Sequence, residues 1–170
     1  MSTSHHFTRL FDYEASCTDL VLASLRHSRR AVEELGLASL AAPYERAVAI
    51  FCHIQAARRL WLHRVAPDRT DFPDGGLFPI WPFEQAEREA RALDELWKAY
   101  LATAPDVARP IRYTSTERAA YESTLADILT HVVNHSTYHR GQIASLVAAT
   151  GVKPAVSDFI VIARRAAPVA

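Results

Sequence analysis

Apolar residues recur at helical spacing through most of the chain, and four long segments carry the pattern. The first runs from about Phe7 to Leu35, with Phe7, Phe11, Thr18, Val21, Leu22, Leu25 and Val32 on one side and Gly36 as a stop. The second runs from about Tyr44 to Val65. Pro43 suits its first turn, and Pro67 lies just past its end. The third covers roughly Glu84 to Ala102, with Leu93, Leu96, Trp97, Tyr100 and Leu101 apolar. The fourth covers roughly Glu117 to Thr150 and stops at Gly151. Strand signal is weak. "RPIRYTS", 109–115, reads as a short extended piece, and "VSDFIVIARR", 156–165, as a final helical turn or two. The pattern predicts an all-α fold, a single four-helix bundle over residues 1–170.

The connection between helices two and three, "PDRTDFPDGGLFPIWPF", has four prolines and two glycines. Antiparallel neighbours in a bundle need only about 2–8 linking residues. An extended chain covers ~3.3 Å per residue, and a helix of about 20 residues is ~30 Å long. This connection can therefore run the length of the bundle as a long crossover, which allows helices two and three to be parallel.

Composition narrows the function classes. Of 170 residues, 49% are hydrophobic, enough for a sizeable core. Lys+Arg and Asp+Glu are 19 each, with no basic stripe or charge run. That argues against nucleic-acid binding, which needs dense phosphate-facing charge, and against a membrane-surface helix. No apolar run reaches the ~18 residues of a membrane span. Cys17 and Cys52 lack a C-x-x-C spacing and read as reduced thiols of a cytoplasmic protein.

The chemistry concentrates in "HVVNHSTYHRGQI", 131–143. At 100° per residue from His135, the residues Leu125, Ile128, Val132, His139, Ile143 and Leu146 fall between about 20° and 80°. His135 and His139 thus occupy the apolar stripe, and His131 lies at its edge. Imidazoles at core positions must be hydrogen-bonded or bind something, because an unpartnered buried polar group costs roughly 1–3 kcal/mol. Histidines four apart can share one metal ion. All three cannot, because positions eight apart are ~12 Å apart along the axis. On an ideal helix either adjacent pair serves; the stripe favours His135 with His139. A third ligand must come from another helix. His53, at the margin of helix two's inward stripe (Ile50, Ile54, Ala57, Trp61), is the candidate. His63 points away from that stripe and reads as solvated, and Cys52 as packing.

Residues around the histidines have readable places. Gln142 falls near the site at about −20°, and Tyr138 and Asn134 lie beside the pocket wall at about −60° and −100°. Metal-bound histidines donate their other N–H to a carboxylate or carbonyl, for which Asp127 and Glu14 are candidates. Arg140 suits a carboxylate or an anionic substrate, with a solvated or interface role as the alternative. Gly141 costs about 1 kcal/mol of helix stability against Ala, and close packing of another helix or subunit would explain it.

These residues resemble the DinB/YfiT-like family of helical-bundle metalloproteins. "HVVNHSTYHRGQI" is similar to the family's most specific signature, Asn-His followed four residues later by His-Arg-Gly-Gln. "LFDYEA" in the first helix, "HIQAARRLWLHR" in the second, "RYTSTE" before the fourth and the Asp158 segment after it also fit. The resemblance implies metal ligands at His53, His135 and His139, an up-down-down-up bundle, and often a homodimer. One departure stands out: many members carry a glycine shortly after the tyrosine of the pre-helix-four stretch, whereas Tyr113 is followed by "TSTERAA".

Three neutral imidazoles leave a divalent metal, zinc or nickel, an open position for water or substrate. The resemblance implies a metal-dependent enzyme, either an S-transferase using a low-molecular-weight thiol or a hydrolase acting on a small molecule. The alternative is a non-catalytic metal-binding bundle for sensing, storage or interaction. His131, Asn134, Tyr138 and Gln142 complete the expected pocket.

Overall fold

The computed structural model describes residues 3–164. Four long helices form the body: α1 (Thr3–Leu35), α2 (Ala38–Val65), α3 (Phe83–Leu101) and α4 (Leu125–Ala149). A hairpin of β1 (Pro110–Thr114) and β2 (Ala120–Thr124) precedes α4, and a short α5 (Phe159–Ala163) follows it. Helix α1 ends where expected. Gly36 takes φ +62° and donates its N–H to the Val32 carbonyl, a left-handed stop that glycine adopts without strain.

Helix α2 begins six residues earlier than the sequence suggests, so Pro43 sits inside it. Proline removes the bond its N–H would make to the carbonyl four residues back. That carbonyl belongs to Ser39, which is exposed and can be satisfied by water. The fourth helix is also corrected. It starts at Leu125, and residues expected as its first turns form strand β2 instead. A capping box marks the true start: Thr124 Oγ1 accepts from the Asp127 N–H at 3.1 Å, and the Asp127 carboxylate accepts from the Thr124 N–H at 3.3 Å. The extended reading of 109–115 holds as β1. It pairs antiparallel with β2, Tyr113 opposite Tyr121. The turn without the family's glycine takes its left-handed residue at Arg118, φ +65°. The predicted last helical piece appears as α5; Arg165 lies outside the described residues.

Side-chain pairs give the helix directions. Asp19, Arg26 and Arg29 of α1 meet Arg91, Glu87 and Glu84 of α3 in reverse order, so these two helices are antiparallel. One apolar cluster joins Phe7 and Phe11 with Leu62, Val65, Trp97, Leu101 and Leu129. The other joins Leu22 and Leu25 with Val48, Phe51, Ala86, Ala90 and Ile143. Early α1 therefore meets late α2, late α3 and early α4, which is the up-down-down-up order. Residues 66–82 make the crossover that lets α2 and α3 run parallel.

Between the two apolar clusters lies a buried polar layer. Arg140 donates to Glu14 at 2.7 Å, and Arg58 donates to Gln55 at 3.0 Å and to Asp94 at 2.6 Å. The same level of the bundle carries the histidines.

Candidate metal centre

His53 reaches the interface of α2 and α4 from one side, and His135 and His139 reach it from the other. Ring centroids stand 5.1 Å apart for His53 and His135, 4.7 Å for His53 and His139, and 4.5 Å for His135 and His139. One nitrogen from each ring can be chosen so that all three lie within 4.8 Å of one another, and all three residues are half-buried. Helical spacing creates the pair on α4, since a four-residue step stacks side chains on one face. The packing of α2 against α4 supplies the third.

The ring nitrogens are assigned by their partners. Nδ1 of His53 lies 2.7 Å from the Leu77 carbonyl, which can only accept, so Nδ1 carries the proton and Nε2 keeps its lone pair. Nδ1 of His139 donates to Gln142 Oε1 at 2.9 Å, with the same result. Burial, followed by the neighbouring His139, His53 and His131, lowers the pKa of His135 to about 4, so its imidazole is neutral at neutral pH. Three imidazoles, two of them with Nδ1 tied to outer partners, are the donor set of a divalent-metal site. The residues present therefore fit such an ion. Among the described residues no carboxylate or thiolate joins the cluster.

The outer partners differ from those expected. Asp127 is engaged at the start of α4, and Glu14 is paired with Arg140 on the α1 side of the same helix. The crossover carbonyl of Leu77 and the Gln142 side chain take the places assigned to carboxylates. Phe78 stacks flat on His53, centroids 4.6 Å apart and planes 3° apart, although its outer surface is 76% exposed. His63 is a further correction. It is half-buried, and its Nδ1 bonds the Thr70 carbonyl at 2.8 Å. Two histidines of α2 thus tie down the crossover.

The remaining predicted residues separate. His131 stands beside His135 at 5.6 Å and against Trp61 at 5.2 Å, on the same side of α4 as the pair but one turn away. Burial, and then Arg64, lower its pKa. Tyr138 lays its ring edge-on to His139 at 5.0 Å and is largely exposed. Asn134 is exposed on α4. Arg140 is buried and held by Glu14, the Tyr13 hydroxyl and Thr137, so it is not available to a substrate. Burial pushes the Glu14 carboxyl above its ordinary range, against the pull of Arg140 and Arg58. Gly141 is exposed, and a Cβ there would meet nothing within 4 Å, so among the described residues no other helix packs closely on it. Cys52 is buried packing, as expected.

A cavity of about 360 Å³ opens onto His53, His131 and His135, walled by Trp61, Tyr113 and Tyr121. Sequence reasoning missed this wall. Its signal lies in helix two, where His53, Ala57, Trp61 and Arg64 follow at intervals of four, four and three residues. Its hairpin half has no local signal. No helix is long and apolar enough to cross a membrane among the described residues.

The sequence is similar to known proteins. Protein DinB of Bacillus subtilis (strain 168) is 29% identical over 76 residues, covering 45% of this chain and 44% of that protein, so the match spans less than half of either. No solved structure matches the chain. The profile of the DinB family matches residues 1–168, nearly the whole length on which the helices, the crossover and the three histidines are arranged. The chain belongs to the DinB family.

Proposed function

We propose that His53, His135 and His139 hold one divalent ion, zinc or nickel, and that the protein is a metal-dependent enzyme acting on a small molecule. The observation that carries this reading is the cavity, which has His53 and His135 in its wall, while among the described residues the cluster consists of three histidines with no fourth candidate ligand. A site closed by a fourth side chain suits a structural ion; a three-histidine site facing a cavity suits chemistry. The bound ion supplies Lewis acidity, lowering the pKa of a water or a thiol that reaches it.

The residues of the chain divide the remaining work. Leu77 and Gln142 hold two imidazoles in the tautomer that presents Nε2. Burial keeps His135 unprotonated. Phe78 covers one face of His53 and restricts water from that side. Trp61, Tyr113 and Tyr121 offer a largely apolar wall for the body of a substrate. This pattern suits an S-transferase that uses a low-molecular-weight thiol, or a hydrolase.

Elemental analysis of the purified chain tests the ion: about one equivalent per chain is expected, and His135→Ala and His139→Ala should lose it. Equal metal in both variants and the wild type overturns the assignment. Addition of a low-molecular-weight thiol to the nickel-loaded protein then separates the chemistries. A sulfur-to-metal charge-transfer band supports the transferase, and its absence leaves hydrolysis.

A further inference from the structure

Three arginines follow one another along the second half of α2, and they are treated differently. Arg58 donates to the Asp94 carboxylate at 2.6 Å, and Arg59 donates to Glu89 at 2.5 Å. Arg64 pairs with no carboxylate among the described residues. Its guanidinium lies over the ring of Trp61 at 4.5 Å and over that of Tyr113 at 4.9 Å. One nitrogen, Nη2, donates to the Thr114 carbonyl at 2.7 Å. A guanidinium has five N–H donors, so most of its donor capacity is left over. The side chain is half-buried, and burial lowers its pKa, the mark of a cation that has lost water without gaining a counter-charge.

The place of this cation matters. It lines the same cavity as His53 and His135, together with the hydroxyl residues Ser115 and Thr116 of the hairpin turn. Among the described residues, Arg64 is the one permanently charged side chain in that wall. His131 stands between the two ends, in contact with Trp61 on one side and His135 on the other. The cavity volume lies in the range of small-molecule sites, which combine an apolar wall with a few placed polar groups. The Trp61 and Tyr113 rings, at 77° to one another, and the Thr114 carbonyl hold the guanidinium in place, and its remaining N–H donors match the two oxygens of a carboxylate.

We infer that the cavity binds a small organic acid, with its carboxylate on Arg64, its apolar or aromatic body against Trp61, Tyr113 and Tyr121, and its other end directed to the three histidines. The inference deepens the proposed function and rests on reading this cavity as the substrate site. A carboxylate is favoured over a phosphate dianion because one cation neutralises one negative charge, and the wall holds no second. Arg140, the arginine of the histidine signature, is excluded from the role by its ion pair with Glu14.

The test uses the full chain stripped of metal by chelation, so that no ion competes for the acid. Calorimetric titration compares 3-phenylpropanoate with its neutral isostere 3-phenylpropanamide. The acid is expected to bind about ten-fold more tightly, the scale of one charge-assisted contact. Arg64→Met should abolish that preference, and Arg64→Lys should retain only part of it. Equal affinity of acid and amide for the wild type overturns the inference, as does no detectable acid binding at millimolar concentration. Survival of the preference in Arg64→Met also overturns it. Tighter binding of phenyl phosphate than of the acid overturns the choice of carboxylate. If Arg64→Met fails to fold, the wild-type comparison and Arg64→Lys still decide. Failure here leaves the metal assignment untouched, because that assignment is read from metal content and this one from metal-free protein.

Discussion

Helix α4 carries polar side chains into the bundle on two sides, and the two sides behave differently. Towards α1, Arg140 meets Glu14, Tyr13 and Thr137, and nearby Arg58 meets Gln55 and Asp94. Charges face counter-charges inside the chain, and among the described residues only the Nε of Arg58 and of Arg140 is left in this cluster without an acceptor. Towards α2, His135 and His139 face His53, and the outer nitrogens of His53 and His139 are satisfied by Leu77 and Gln142 while their inner nitrogens converge without a donor. The first cluster is closed by the protein and holds the helices in register. The second is open towards the cavity and presents lone pairs to something else. Burial of polar groups alone does not mark a binding site; convergence of like groups, with their outer partners in place, does.

Breaking the closed cluster should have the largest effect on stability. Glu14→Ala leaves Arg140 buried without its counter-charge, and loss of one partner of a buried pair costs about 3–5 kcal/mol. Urea unfolding should show that loss, while metal bound per folded chain stays at the wild-type level. A variant that keeps full stability would mean that water reaches Arg140. On the open side, Gln142→Ala removes the outer partner of His139 and should weaken metal affinity about 10–100-fold, with little change in the stability of metal-free protein. Competition against a chelator measures it, and unchanged affinity would remove Gln142 from the site.

The pH response should distinguish the two sides as well. His135 titrates at about 4 in the folded chain, below the ordinary histidine value of about 6.5. Below the ordinary value the unfolded chain takes up a proton that the folded chain refuses. Metal-free protein is therefore fully stabilised with respect to this residue above about 6.5 and loses that contribution as pH falls towards about 4. His135→Gln should flatten this part of the stability profile, seen as a smaller shift of the urea midpoint over the same interval. The smallest effect is expected at His131. It lies one turn beyond the pair, so His131→Gln should keep wild-type metal content, and loss of metal in that variant with retention in His139→Gln would reverse the choice of pair.

Much of the site was legible because its strongest signal is periodic. Two histidines in the place of Leu or Ile on an apolar stripe violate the pattern that builds a core, and the four-residue step puts them side by side whatever surrounds the helix. His53 was legible for the same reason, as a polar residue at the margin of an inward stripe. Periodicity places the start of α4 too early, although Thr124 and Asp127 stand at capping-box spacing. Glu117, Arg118, Ala119 and Ala120 are compatible with a helix, and only pairing with β1 makes the following residues a strand. Spacing alone makes His63 look solvated, because the carbonyl of Thr70 that it bonds belongs to the irregular crossover, where spacing predicts nothing.

The sequence by itself determined the long helices, the need for a crossover rich in proline and glycine, and the identity of the three histidines. Each follows from a local rule about periodicity, backbone freedom or side-chain chemistry. Only the tertiary structure decided which groups answer them. Glu14 and Arg140 are 126 residues apart, and Leu77 reaches His53 from a segment without regular structure. The aromatic wall joins α2 to a hairpin 50 residues further on, where Arg64 meets Thr114. Such partners are chosen by how helices pack and loops return, and no spacing along the chain encodes that distance in space.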